Sequence, residues 1–335
     1  MRGPNTFSLP IGVLSKFGMP VERLCARAEV AASNAWVTSD FFRIWAAAEE
    51  EFNDPGAGIR FGDEGIARGY GVAAIVALHA PDYRSALAAL SRYKSLTCPE
   101  FVEVEEKESE AVVRYRWLQA TGPVPRLLVD VTMASLRQLA WRGTGGKVVP
   151  IRLELTRRPS DQELLRRHFG CQIVFGAASD AMVFDGAALD VPFLTADGGA
   201  FAHVVGGLEQ RIRTGEGFPT VVGEVAVAIA RQLSEGRQPS VAAVAGRLNL
   251  STRTLQRRLQ EVGTNFQEQL AGVRRSIAAR LLVATDLDAV AISMLVGFGE
   301  PNSFARAFRH WERTTPARWR DQQVDERRIH EGTST

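Results

Sequence analysis

The chain has little of what disulfide-stapled, metal-dependent or membrane-spanning proteins are made from. Only three cysteines occur in 335 residues, Cys25, Cys98 and Cys171, and none sits in a CxxC or CxxH pair. An odd, scattered set predicts reduced, mostly buried thiols rather than a disulfide frame or a zinc site. No apolar run approaches the ~20 residues that span a bilayer; Gly71–Ala80 (GVAAIVALHA) is among the longest. The opening MRGPNTFSLPIG is interrupted by prolines and glycines, so it lacks the basic-then-apolar pattern of a secretory signal. A cytoplasmic chain with no membrane partner is expected. The five histidines, His79, His168, His203, His310 and His330, show no HxxxH or HExxH spacing. No GxSxG elbow, Walker loop or GxGxxG after a strand occurs either. The expectation is a non-enzyme: no catalytic residue, metal ligand or cofactor is assigned.

What is present is an ordinary globular composition, 45% hydrophobic and 23% charged, at a length that fits two domains. The formal charge of +2 conceals an asymmetry. Phe218–Arg320 carries 14 basic against 8 acidic residues, a net of +6, and the remaining 26 basic and 30 acidic residues net −4. All 14 are arginine, the type suited to bidentate phosphate and guanine contacts, although arginine is frequent throughout the chain.

Periodicity predicts an α+β domain over residues 6–205. A helix over Val37–Phe52, capped by Ser39 or Asp40, turns Phe41, Ile44, Trp45 and Ala48 inward. A second, Asp82–Ser95, is capped by Asp82 and buries Leu87, Leu90 and Tyr93. Strands Phe101–Lys107 and Ala111–Leu118 alternate with period two, which predicts a hairpin with one buried face. A long helix over Val124–Arg142 ends at Gly143, Gly145 and Gly146. It is followed by a strand at Val148–Thr156, a helix at Asp161–Phe169 capped by Ser160, and short strands at Gln172–Phe175 and Ala181–Phe184. Gly198–Arg213 reads as a helix, with 206–219 as its end and a linker and Thr214–Pro219 as the hinge. Residues 220–320 read as wholly helical, and 321–335 as a disordered tail.

Two stretches of that helical part share one design. In STRTLQRRL (Ser251–Leu259) and its continuation, Leu255, Leu259 and Val262 fall on one side; Arg253, Gln256, Arg257 and Gln260 fall on the other. In NSFARAFRHW (Asn302–Trp311), Phe304, Phe308 and Trp311 face one way; Asn302, Arg306 and either Arg309 or His310 face the other. Ser251 caps the first, Gly263 ends it, and Asn265–Ala284 forms a connecting helix of about 20 residues, ~30 Å long. Leu255 and Phe304 are equivalent positions 49 residues apart. Successive major grooves on one face of B-DNA lie ~34 Å apart, so this connector suits a reader of two grooves.

These residues carry a resemblance. VAAVAGRLNLSTRTLQRRLQEVGTNFQEQL followed by VGFGEPNSFARAFRHWERTTPARWR resembles the paired helix-turn-helix domain of AraC/XylS-type transcription regulators over about 100 residues. Ala245 matches the small residue packed between two helices, Gly297-Phe298 opens the second turn, and Phe304, Phe308 and Pro316 continue the signature. The resemblance places base-reading positions at Arg253, Gln256 and Arg257, then at Asn302, Ser303 and Arg306, and arginine suits guanine as glutamine and asparagine suit adenine. Thr252, Arg309 and the helix N-terminal amides are expected to hold phosphates. Two departures sit beside the second unit: Arg313 stands where the family has a helix-ending glycine, and Ser293 replaces an alanine.

The N-terminal two-thirds is similar to the arabinose-binding-type sensor domain of regulators of ornithine use and virulence, through FFRIWAAAEEEFNDPGAGIRFG, LSRYKSLTCPEFVEVEE and LDVPFLTAD. The resemblance implies a regulator that binds promoter DNA, a small-molecule or partner effector, a homodimer and, if it is an activator rather than a repressor, contact with RNA polymerase, without naming pocket residues. His79 reads as a core or cap histidine, and Trp36, Trp45, Trp117 and Trp141 as core. Glu103, Glu105, Glu106, Glu108 and Glu110 read as a solvated strand edge. The alternative of another class is a Cys-dependent hydrolase or DNA-repair methyl acceptor fused to a DNA-binding domain.

Overall fold

The computed structural model describes residues 6–7, 21–31, 36–67, 72–96, 98–117, 120, 122–214 and 220–323. The chain divides into two units, one of residues 2–117 and 124–220, the other of 221–335 together with 118–123. The fold class found is the one expected, a mixed α and β unit followed by a helical one.

In the first unit β1 (Thr6–Phe7) pairs with β2 (Trp36–Val37), and α1 (Val21–Arg27) lies between them in sequence. Then come α2 (Thr38–Phe52), α3 (Ala57–Ala67), α4 (Val72–His79) and α5 (Tyr83–Tyr93). The inward stripe of α2, Phe41, Ile44, Trp45 and Ala48, is buried as its spacing requires. Its cap differs from expectation. Val37, held extended by β2, occupies the N-cap without a side-chain bond, so Ser39 and Asp40 fall inside the first turn. Asp82 does cap α5, accepting from the Ser85 amide at 2.7 Å.

Five strands form the sheet, β3 (Phe101–Lys107), β4 (Glu110–Arg116), β5 (Arg152–Leu155), β6 (Gln172–Phe175) and β7 (Asp180–Asp185), in the order β3-β4-β7-β5-β6. Only β5 and β6 are parallel, as a helical crossover between them requires. The expected hairpin forms, but not with one buried face. Ala111, Val112 and Val113 are all buried, because β7 pairs along the other side of β4 and packs Ala181 and Val183 beside Val112. The glutamate run is the expected solvated edge only in part: β3 is the outer strand and Glu106 and Glu108 are exposed, but Glu103 is buried and most of the run is paired. Glu103 meets Arg116 at 2.8 Å, Glu105 meets Arg114 at 2.5 Å, Glu106 meets Arg84 at 2.5 Å and Glu110 meets Arg152 at 3.1 Å. Four of the five glutamates thus meet an arginine, from β4, from β5 or from α5, which the local sequence does not reveal.

The long helix α6 (Arg126–Thr144) ends at Gly145 in the left-handed region, φ 64°. It lies backbone to backbone with α3: a Cβ at Gly62 would stand 2.5 Å from the Val131 carbonyl oxygen. At the start of α7 (Gln162–Phe169), Asp161 takes the N-cap with φ 52° and makes no cap bond; Ser160 therefore stands one residue too early to serve. Trp36, Trp45 and Trp117 are core residues, whereas Trp141 on the last turn of α6 is 48% exposed. Glu209 on α8 (Gly198–Thr214) accepts from Tyr93 Oη at 2.6 Å and from Arg92, tying that helix to α5. Of the hinge expected at Thr214–Pro219, Thr214 is the last residue of α8 and 215–219 lie outside the described residues.

The second unit contains α9 (Thr220–Ser234), α10 (Val241–Arg247), α11 (Thr252–Glu261), α12 (Phe266–Ala284), α13 (Ala289–Leu295) and α14 (Pro301–Glu312). It also takes in Ala120, whose carbonyl accepts from the buried Ser276 hydroxyl of α12 at 2.7 Å. A last helix runs over 316–323, so positions 321–323 are ordered helix rather than tail; 324–335 lie outside the described residues.

Candidate nucleic-acid interface

The first reading unit is α10, a turn and α11. Ser240 caps α10 through the Ala243 amide, and Val244 and Ala245 are buried against α11. Asn249 takes the left-handed turn at φ 55°, and the Leu250 amide returns to the Ala245 carbonyl at 2.9 Å. Ser251 then caps α11, accepting from the Thr254 amide at 3.1 Å. Leu255 and Leu259 are fully buried, which turns Arg253, Gln256, Arg257, Arg258 and Gln260 to solvent; Thr252 is half-buried. This is the amphipathic split that the spacing predicts.

The connector α12 carries a complete capping box. Asn265 accepts from the Glu268 amide at 3.0 Å and Glu268 Oε2 accepts from the Asn265 amide at 3.3 Å. Its nineteen residues give a rod of ~28 Å. Ala278 and Leu282 near its end enter the core of the second reading unit.

In that second unit Asp288 caps α13 through the Ala291 amide at 2.7 Å. Ser293, the departure from alanine, is fully buried and donates its hydroxyl hydrogen to the Val290 carbonyl at 2.7 Å, so its polar atom is satisfied. Gly297 (φ 73°) turns the chain, and Pro301 opens α14 where an amide is not needed. Phe304 and Phe308 are buried among Phe298, Trp311 and Trp319, with Phe308 and Trp319 rings 6.1 Å apart. Asn302, Arg306, Arg309 and His310 are exposed, and Ser303 is half-buried with Arg306 donating to its hydroxyl at 3.3 Å. Arg313 terminates α14 in the left-handed region, φ 58°, the place a glycine fits without strain.

Each of the eight candidate residues thus lies on α11 or α14, away from its helix's buried stripe. The basic excess of this unit is partly spent internally, which composition alone conceals. Arg275 pairs with the buried Glu312 at 2.7 Å, Arg231 with Glu235 at 3.4 Å, and Arg257 with Glu261 at 2.6 Å. Arg253, Arg258, Arg309 and Arg313 have no carboxylate partner among the described residues. Arg258, exposed one position beyond Arg257, was not singled out from sequence. Its signal, an arginine pair on one turn, was present.

Residues 18–193 match the model of the arabinose-binding domain of AraC transcription regulator, N-terminal, and residues 244–322 match a helix-turn-helix domain. The chain is 27% identical over 290 residues to the HTH-type transcriptional regulator VirS of Mycobacterium tuberculosis, covering 84% of this chain and 83% of that protein. It is 36% identical over 86 residues to the ornithine utilization regulator of Pseudomonas aeruginosa, covering 26% and 25% of the two chains. A solved structure, the transcriptional regulator CdpR from Pseudomonas aeruginosa, aligns over 90% of this chain and 96% of that one at 21% identity and TM-score 0.43.

Proposed function

The chain belongs to the AraC family of transcription regulators, and on that premise we propose how it reads DNA. Arg253, Gln256 and Arg257 of α11 enter one major groove. Asn302, Ser303 and Arg306 of α14 enter the next, while Thr252 and Arg309 hold backbone phosphates. The observation that carries this reading is the pairing of two capped helices, each exposing polar side chains opposite a buried apolar stripe, through one ~28 Å helix.

In the same reading the α+β unit binds a small-molecule effector that favours one arrangement of the reader over another. A homodimer through α8 is supported by that helix burying Leu208 while Ala202, His203, Gly206 and Gly207 stay exposed. Activation, with RNA polymerase as partner, in the cytoplasm where promoter DNA lies, completes the proposal and assigns no residue. The fused-enzyme alternative gains no support. Burial raises the Cys25 thiol, holds Cys98 well above its ordinary value and pushes Cys171 to about 11, so all three stay protonated near neutral pH.

The test is fluorescence anisotropy of the full chain on the promoter region beside its own coding sequence. Preference over scrambled duplex at physiological salt is expected, and equal affinities would refute the reading.

A further inference from the structure

Arg274, in the middle of α12, is not one of the exposed arginines. It is half-buried, has no carboxylate partner among the described residues, and meets neutral acceptors instead. Its Nη2 donates to the Gly297 carbonyl at 2.6 Å and to Gln238 Oε1 at 3.3 Å. Gln238 Nε2 donates to the same Gly297 carbonyl at 2.9 Å, closing a triangle of hydrogen bonds. The guanidinium also lies over the Phe298 ring, 4.6 Å from its centroid.

The three corners belong to different parts of the reader. Gln238 is in the connector that leads into α10, the first helix of the first reading unit. Gly297 and Phe298 form the turn that sets the direction of α14. Arg274 is on the rod between them. Leu233 at the end of α9 closes the fourth side: a Cβ at Gly297 would stand 2.8 Å from Leu233 Cδ2 and 3.3 Å from Arg274 Nη2. The Gly297 turn is therefore clamped between the end of α9, the connector into α10 and the rod. A half-buried charge without a counter-charge is costly, and what this one obtains is geometry, because a planar fork fixes angles that an ammonium does not.

From this we infer that Arg274 is the positioning residue that sets the phase between α11 and α14, and so the spacing between the two half-sites the protein accepts on DNA. It touches no base in this role; it acts through the Gly297 turn and the Gln238 connector. The inference rests on the two-groove reading above and deepens it.

The experiment uses the full chain and a duplex selected by the wild-type protein from random-sequence DNA. Affinities are measured for that duplex, for versions with one or two base pairs inserted or removed between the half-sites, and for each half-site alone with the other scrambled. The wild type is expected to lose about tenfold per altered spacing. Arg274→Ala is expected to flatten that response to about threefold or less while binding the isolated first half-site within about twofold of wild type. Arg274→Lys should behave like the alanine variant, and Gln238→Ala, which leaves the cation in place, should flatten the response partly. Thermal melts accompany each variant, and Arg274→Lys and Gln238→Ala carry the test if Arg274→Ala does not fold. Retention of the full spacing penalty in the variants, or a uniform loss on every duplex including the isolated half-site, would overturn the inference. A wild type that prefers its selected duplex but is indifferent to spacing would overturn it too, leaving the DNA-binding reading intact. A wild type with no preference over scrambled DNA would sink both.

Discussion

Arg257 Nη1 lies 2.6 Å from Glu261 Oε1, one turn further along α11, with both side chains more than half exposed. An arginine proposed for base reading is thus held by an intrahelical ion pair in this structure. Exposed pairs at this spacing contribute about 0.3–0.5 kcal/mol, so DNA can displace the carboxylate at small cost. Glu261→Ala is therefore expected to tighten binding to the selected duplex by about twofold, and to give no tightening in an Arg257→Ala background. Anisotropy titrations of the four proteins check it.

Arg257→Ala itself is expected to lose about 1–3 kcal/mol of discrimination at one base position while leaving the others as they were. The check is affinity across a panel of single-base variants of the selected duplex. Equal weakening on every duplex would make Arg257 a phosphate contact instead.

Arg313 ends α14 with φ 58° and ψ 13°. A side chain there carries steric strain that glycine does not, partly offset by glycine's greater freedom in the unfolded chain. Arg313→Gly is expected to stabilise the helical unit by about 0.5–1 kcal/mol, read as a higher urea midpoint at unchanged slope.

In the first unit Asp63 Oδ1 of α3 and His168 Nε2 of α7 face each other at 3.6 Å without a hydrogen bond. Burial raises Asp63 from 3.8 to about 6 against the pull of Arg137. Burial, aided by Arg137, lowers His168 from 6.5 to about 4. The signs oppose. The Asp63 contribution is present below pH 3.8 and lost as pH rises through about 6, and the His168 contribution is present above pH 6.5 and lost as pH falls through about 4. The wild-type protein should therefore show a flat contribution from this pair between about pH 4 and 6. Asp63→Asn should make stability rise with pH across that window, and His168→Gln should make it fall. Urea titrations at several pH values check both slopes.

Much of the reader was legible because its signals are local. Leu255, Leu259, Phe304 and Phe308 repeat at helical spacing, and Ser251 and Asp82 cap the helices that follow them. Where the next residues offered competing caps, local reading failed: Val37 displaced Ser39 and Asp40 because a strand pairing held it extended, and Asp161 displaced Ser160 by a left-handed turn. Nothing in the glutamate run names Arg84, Arg114, Arg116 and Arg152 as its partners, since those contacts depend on sheet order. Arg274 was hidden for the same reason. One arginine among fourteen in the C-terminal third, it is distinguished only by Gln238 and Gly297, 36 and 23 residues away.

One chain is proposed to read two adjacent grooves in sequence-specific fashion. The most direct measurement is the affinity of the full chain, at physiological salt, for its selected duplex and for versions with the first, the second or both half-sites scrambled. Scrambling either half-site is expected to cost about tenfold or more, and scrambling both about the product, down to nonspecific binding. Equal affinity for all four duplexes, or a second half-site whose scrambling changes nothing, would contradict it.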